Sequence, residues 1–320
     1  MSASGGSKAI IAAMLANAGI AVTKFIAFAF SGSSSMLAEG VHSLADTGNQ
    51  GLLLLGGRQA KKKATADHPF GFGRERYVYA FVVSIILFSI GGVFSIYEGI
   101  DKLRHPHELE VPWLPIVVLL IAIVLESFSF RTAIKESNRV RGTQTWVQFV
   151  RRSKAPELPV VLLEDFAALL GLLFALVGVS MTIVTGDSAW DAMGTLAIGV
   201  LLVLVAIVLG IETKSLLVGE GAGPADATAI SAAINAQPQV EALIHMKTLY
   251  LGPDELLVGA KVAFARSSRL SDVATSINEL ETAIRAAVPI ARVIYIEPDV
   301  YLPPNAANPS TDSFVIKAAD

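Results

Sequence analysis

Residues 34–57, SSMLAEGVHSLADTGNQGLLLLGG, have the length of a membrane-crossing helix and yet contain Glu39, His42 and Asp46. A spacing of three and then four sets these side chains on one helix face. An ionisable group at mid-helix costs ~2.5–3.5 kcal/mol on insertion scales, so a span that keeps three of them along one stripe has a use for them. His42 and Asp46 make the unit His-x-x-x-Asp, and an i,i+4 pair of this kind can chelate one cation. The same pair also suits a structural hydrogen bond inside a helix bundle.

The rest of the chain agrees with a membrane setting. Of its 320 residues 53% are hydrophobic and 17% charged, against about a quarter charged in soluble domains, and the mean hydropathy is +0.57. A hydrocarbon core of ~30 Å requires about 20 mostly apolar residues. Six stretches qualify, at roughly 8–30, 34–57, 76–100, 112–135, 157–185 and 190–217. The net charge of −3, without a long basic run, gives no footprint for nucleic acid. With no cysteine, a disulfide, a thiolate zinc site and an iron–sulfur cluster are excluded, leaving His, Asp, Glu and backbone oxygen as metal ligands. The start, MSASGGSK, lacks the features of a cleaved signal peptide, so the first span reads as mature structure.

The basic residues set the orientation. Positions 58–76 carry six Lys/Arg and 131–155 carry seven, whereas the connections SGSSS, DKLRHPHELEV and TGDSAWD hold two between them. The first two loops therefore face the cytoplasm, together with both termini. His105 and His107 fall in the outer loop and read as surface groups. From residue 219 the pattern changes to short elements: a helix at 224–236, strands near 240–251 and 256–265, a helix at 271–288 and a strand at 292–301. The expected organisation is an α-helical membrane protein, with six transmembrane helices over 1–218. A cytoplasmic α+β ferredoxin-like domain follows at 219–304, and a tail at 305–320. Residues 219–320 hold twelve Asp/Glu against seven Lys/Arg, so this part is acidic.

The remaining polar residues inside spans are Asn17 and Lys24 in the first, Glu98 in the third, Glu126 in the fourth, and Glu164 with Asp165 in the fifth. At 1.5 Å per residue, His42 lies ~12 Å and Asp46 ~18 Å below the outer surface, and Asp165 ~12 Å above the inner one. Imidazole and carboxylates at a common depth have the chemistry of a first-row divalent metal site, and the same groups take up protons when the metal leaves. Glu164 and Asp165 diverge by about 100° on a helix, so they do not both point squarely at one ion. Glu39 and Glu126 suit a cavity, a proton path or a helix contact, and Asn17 a packing hydrogen bond.

The stretches SMLAEGVHSLADTGNQ at 35–50, HPFGFGRERY at 68–77, GGVFSIYEG at 91–99 and VLLEDFAALLG at 161–171 together resemble the cation diffusion facilitator family of divalent-metal exporters. The resemblance covers nearly the whole chain. It implies a homodimer in the bilayer that moves zinc or a related dication out of the cytoplasm against protons, with no cofactor. It also implies a four-ligand site between the second and fifth helices, carried over as His42, Asp46 and Asp165. Where relatives have a second ligand four residues before the fifth-span aspartate, this chain has Val161, so Glu164, water or Glu126 would complete the set. One imidazole among oxygen ligands is a harder set than usual, which keeps manganese, iron(II) and cobalt beside zinc.

Other features of the family are thinner here. Phe72 follows His68 where a second histidine can stand, and the loop between the fourth and fifth spans has no histidine. In the C-terminal domain only His245, with Glu297 and Asp299, remains for a regulatory metal site of the kind relatives carry. Arg74 and Glu220 are placed to form a charge link that holds the membrane and soluble parts, and so the dimer, in register. Two other readings use the same residues: an intramembrane hydrolase with His42 as base, and a metal sensor that does not transport. The first lacks an H-E-x-x-H sequence and a serine placed with a base. The compact chain without a transit peptide suits a bacterial inner membrane, with an organellar membrane as the alternative reading.

Overall fold

The computed structural model describes residues 3–106, 111 and 113–301. His107 and the tail expected at 305–320 lie outside the described residues. The chain divides into two compact units, Met1–Lys62 with Glu75–Ser215, and Lys63–Arg74 with Leu216–Asp320. The second unit thus takes in Lys63–Arg74 of the basic loop as well as the chain from Leu216 onward.

The first unit is helical throughout. Its elements are α1 (Ala3–Ser31), α2 (Ser34–Gln59), α3 (Glu75–Ile86), a π-helical segment (Leu87–Val93), α4 (Phe94–Arg104), α5 (Trp113–Arg141), α6 (Trp146–Arg152), α7 (Glu157–Thr185) and α8 (Ala189–Val218). Among the described residues, four helical stretches are long and apolar enough to cross a membrane: Glu75–Arg104, Trp113–Arg141, Glu157–Thr185 and Ala189–Val218. Of α1, the segment Asn17–Ser31 is apolar over a shorter length. α2 spans 26 residues and is diluted by its own polar stripe.

Helix ends follow local chemistry. Gly32 at φ 64° breaks the chain after α1, and Ser33 caps α2 by accepting from the Met36 amide. Gly186, at φ 73°, ends α7 in the left-handed conformation that glycine adopts without a Cβ penalty. Within residues 131–155, expected as the basic loop after the fourth span, α5 continues to Arg141 and the short helix α6 forms at Trp146–Arg152. A capping box starts α6: Thr145 accepts from the Gln148 amide, and the Gln148 side chain accepts from the Thr145 amide.

Close helix packing depends on small residues. A Cβ on Gly92 would stand 2.6 Å from Val203 Cγ2, and one on Gly199 would stand 2.7 Å from Ile96 Cγ1, so α8 and the third span meet backbone to backbone. Around this contact Leu87, Leu119, Leu172, Ile198, Leu202 and Leu209 form the core. Outward, Val117, Leu120, Ile121, Val124 and Phe128 of α5 are exposed, as a lipid-facing surface requires.

The second unit contains α9 (Pro224–Asn235), β1 (Val240–Gly252), β2 (Glu255–Phe264), α10 (Leu270–Ala287) and β3 (Ala291–Asp299). Its sheet has the order β1-β2-β3, with β1 antiparallel and β3 parallel to β2. This is a small mixed sheet of three strands, coarser than the full ferredoxin-like layout. Alternate residues of β2, Leu256, Val258, Ala260 and Val262, are buried with Ile230, Ile234, Leu280 and Ile284 of the two helices. Each such large side chain contributes about 1.5–3 kcal/mol when removed from water. Residues 63–74 belong to this unit because Gly73 packs on the β1–β2 turn: a Cβ there would stand 2.5 Å from the Leu251 carbonyl oxygen.

Candidate metal site

α2 carries the polar stripe into the interior of the first unit. Glu39, His42, Ser43, Asp46, Asn49 and Gln50 are all buried. His42 Nε2 stands 3.5 Å from Asp46 Oδ2, the i,i+4 contact that the spacing implies. Both nitrogens of His42, Oδ1 of Asp46, Oδ1 of Asn49 and Oε1 of Gln50 are buried with no hydrogen-bond partner in the structure. Unpaired buried polar atoms are costly, and several of them fall along this one helix face. A Cβ on Gly91 would come within 4.0 Å of His42 Nδ1, so the π-helical segment lies against the imidazole without a side chain of its own.

Across from α2, the two acids of α7 separate as neighbours on a helix must. Glu164 turns to α2, where Asn49 Nδ2 donates to its Oε1 at 2.7 Å. Asp165 turns to α5, where Ser129 Oγ donates to its Oδ2 at 2.8 Å. Among the described residues, no three His, Asp or Glu side chains form a group that would hold a metal ion. The structure therefore gathers His42, Asp46, Glu164 and Asp165 into one buried region without closing them into a ligand shell. Each α7 carboxylate is held by a neutral donor on a different helix, Glu164 by Asn49 of α2 and Asp165 by Ser129 of α5.

Two features of this region escape a reading of motifs. The first is Lys24, fully buried, whose Nζ donates to Glu39 Oε2 at 2.8 Å and to Ser43 Oγ at 2.8 Å. Glu39 thus belongs to a buried ion pair between α1 and α2, and its free Oε1 would lie 2.6 Å from a Cβ on Gly171 of α7. The second is Asn49, seven residues beyond His42 and so on the same face; the spacing alone was the signal. Glu126 is buried on α5. Asn17 is half-buried on α1.

At the end of the bundle with the serine loop, Asp191 is not the exposed loop acid its setting TGDSAWD suggests. It is fully buried and accepts from Ser33 Oγ at 2.9 Å, the Ser34 amide at 2.8 Å and the Ser35 amide at 3.4 Å. Its own amide donates to Thr182 Oγ1 at 3.0 Å. A carboxylate thus sits on the positive end of α2 and ties it to α7 and α8. Lys102, also expected in a loop, is buried and donates to the Gly32 carbonyl at 3.2 Å.

In the second unit, the Lys261 ammonium lies 3.0 Å from Glu297 and 3.1 Å from Asp299. The carboxylates that β3 offered for a regulatory metal are held by a lysine, and hydrogen bonds to Glu297 and then Asp299 raise the pKa of Lys261. His245 lies on the same open sheet face. Arg74 and Glu220 both fall in this second unit, Arg74 with its Nη2 3.4 Å from where Gly219 would carry a Cβ. Arg76 instead pairs with Glu157 inside the first unit.

Comparison with known proteins adds an independent line. A model of the cation efflux transmembrane domain matches residues 10–218. The chain is 33% identical over 263 residues to the mitochondrial proton-coupled zinc antiporter SLC30A9 of Mus musculus, covering 81% of this chain and 46% of that protein. It is 28% identical over 262 residues to metal tolerance protein C4 of Arabidopsis thaliana, covering 80% and 57% respectively. It is 26% identical over 253 residues to the cation-efflux pump FieF of Klebsiella pneumoniae, covering 78% of this chain and 79% of the pump. The chain spans about half the length of the mouse protein it matches.

Proposed function

The chain belongs to the cation efflux family, a family of transporters rather than enzymes, and from that premise we propose a proton-coupled exporter of divalent metal cations. Zinc is the first candidate substrate, with manganese, iron(II) and cobalt beside it because the buried donors comprise one imidazole and several oxygens. The observation that carries this reading is the row of buried, unpartnered nitrogen and oxygen atoms on α2 opposite the acids of α7. A dication surrounded by two carboxylates is close to neutral and tolerable in hydrocarbon, whereas a bare one is not.

In this reading six helices span the bilayer, with the basic loops and both termini in the cytoplasm. Metal enters beside α2 and engages His42 and Asp46. Glu164 and Asp165 complete its shell on leaving Asn49 and Ser129. Protons return to these groups when rocking of the helices opens the site to the other side. Two chains act together as a homodimer.

The test is metal-driven proton flux in proteoliposomes, comparing zinc, manganese, iron(II), cobalt and cadmium. Flux should be lost in Asp46→Ala and Asp165→Ala and reduced in Glu164→Ala. Flux unchanged by the first two would place the site elsewhere, and binding without flux would make the protein a sensor.

A further inference from the structure

At the basic-loop end of the first unit, α5, α7 and α8 diverge under the short helix α6 and leave an apolar groove of about 680 Å³. Phe130 and Ile134 of α5, Trp146 of α6, Leu162 and Phe166 of α7 and Val208 of α8 line it. Its volume falls within the range of small-ligand sites, about 300–1,000 Å³. Charge is confined to one rim, where Arg151 Nε stands 3.5 Å from Glu212 Oε1. That pairing and the one between Arg139 and Glu136 take up part of the local charge, to which Arg141 and Arg152 add.

An apolar slot with a cationic rim, set at the end of a membrane helix bundle, is complementary to a lipid with an anionic headgroup. We propose that the groove under α6 binds one acyl chain of an anionic phospholipid, whose phosphate lies against Arg151 and Arg152. The inference rests on the membrane setting of these helices and not on the transport reading. α6 is suited to the role: its seven residues hold Phe149 buried against Ala133 and Leu162, while Val147 on the same helix is 67% exposed. Arg141 covers the Trp146 ring at 4.3 Å and fixes it at the groove mouth.

The groove also adjoins the candidate metal site. Leu162, Leu163 and Phe166 flank Glu164 and Asp165 on the same turns of α7, and Phe130, in contact with Phe166, follows the Ser129 that holds Asp165. An acyl chain in the slot bears on the back of those turns.

The chain has three tryptophans. Trp113 and Trp190 begin α5 and α8 at the opposite end, so Trp113→Phe/Trp190→Phe leaves Trp146 as a reporter inside the groove. In proteoliposomes, bromines on the acyl chains of phosphatidylglycerol should quench Trp146 more strongly than bromines on phosphatidylcholine at equal mole fraction. The expected enrichment is about fivefold or more, the effect of one basic side chain at a surface. Arg151→Gln/Arg152→Gln should abolish the preference, and Val208→Phe, which fills the slot, should lower quenching by both lipids. Equal quenching by the two lipids overturns the proposal, as does a preference that survives both sets of substitutions. If the tryptophan variant does not fold, the unaltered chain is stripped in detergent and its bound lipid weighed by mass spectrometry. Retained anionic phospholipid that Arg151→Gln/Arg152→Gln releases supports the site, and none retained refutes it.

Discussion

Removing the charge of Lys24 should destabilise the protein by about as much as it costs to neutralise Glu39. The ammonium and the carboxylate are both fully buried and stand 2.8 Å apart. At an effective dielectric of 20 their attraction is about 6 kcal/mol, most of it offset by the desolvation of two ions. In Lys24→Met that attraction vanishes while the cost of burying Glu39 stays, because Oε1 already lacks a partner and Oε2 loses its own. Unpairing a buried charge costs about 3–5 kcal/mol. Protonating an ordinary glutamate at pH 7 costs about 3.7 kcal/mol, which caps the penalty. The expected loss is therefore about 3–4 kcal/mol. Glu39→Met alone should cost a similar amount, by leaving Lys24 with Ser43 only. The double variant Lys24→Met/Glu39→Met carries no buried charge and should return to within about 1 kcal/mol of the unaltered chain. The assay is reversible unfolding in mixed micelles, followed by circular dichroism and analysed as a double-mutant cycle. Additive losses in the double variant, or single losses below about 1 kcal/mol, would refute the reasoning.

Asp191→Ala should lower stability by about 3 kcal/mol, since three donors at the start of α2 lose an ionised acceptor, and Asp191→Asn should recover part of it; thermal unfolding in detergent measures both. Gly171→Ala should cost about 1–3 kcal/mol, because its methyl would lie 2.6 Å from a Glu39 oxygen whose carboxylate Lys24 anchors, and Glu39→Asp should relieve much of that cost. In the second unit the raised pKa of Lys261 fixes the sign of its pH dependence. Its contribution is fully present below the ordinary lysine value of 10.5 and is lost as pH rises through the higher folded value. The unaltered chain should accordingly exceed Lys261→Met in thermal stability by a constant margin through neutral pH and converge with it only in strong alkali.

Much of the helical scaffold was legible because long apolar runs leave little choice: all six expected stretches fall on helices, and among the described residues four of these are long and apolar enough to cross a membrane. The elements that were not legible are those whose pattern is ambiguous locally. α6 is seven residues of mixed aromatic and basic character, and among thirteen Lys/Arg in two loops its capping box carries a weak signal. Residues 63–74 show no periodicity, and their allegiance to the second unit comes from the bare backbone of Gly73 meeting Leu251. Asp191 looks like a turn residue because its partners, Ser33 to Ser35, lie more than 150 positions earlier. In the site, the stripe of α2 followed from helical spacing, while the destinations of Glu164 and Asp165 depended on where Asn49 and Ser129 happened to stand.

Those destinations bear on how the site must work if it carries metal. Asn49 and Ser129 each hold one α7 carboxylate with a neutral hydrogen bond, worth about 1–3 kcal/mol when the acceptor is charged. A dication can take Glu164 or Asp165 as ligand only by displacing that donor and bringing the carboxylate toward His42 and Asp46. Since the two acids point about 100° apart on one helix, both cannot be recruited without rotation or translation of α7 against α2. Binding energy would then be spent on moving a helix, which is the coupling an alternating-access carrier needs: a ligand shifts a conformational equilibrium only by binding its two states unequally. Two acids held on separate partners, α2 for one and α5 for the other, would supply that inequality from their own hydrogen bonds.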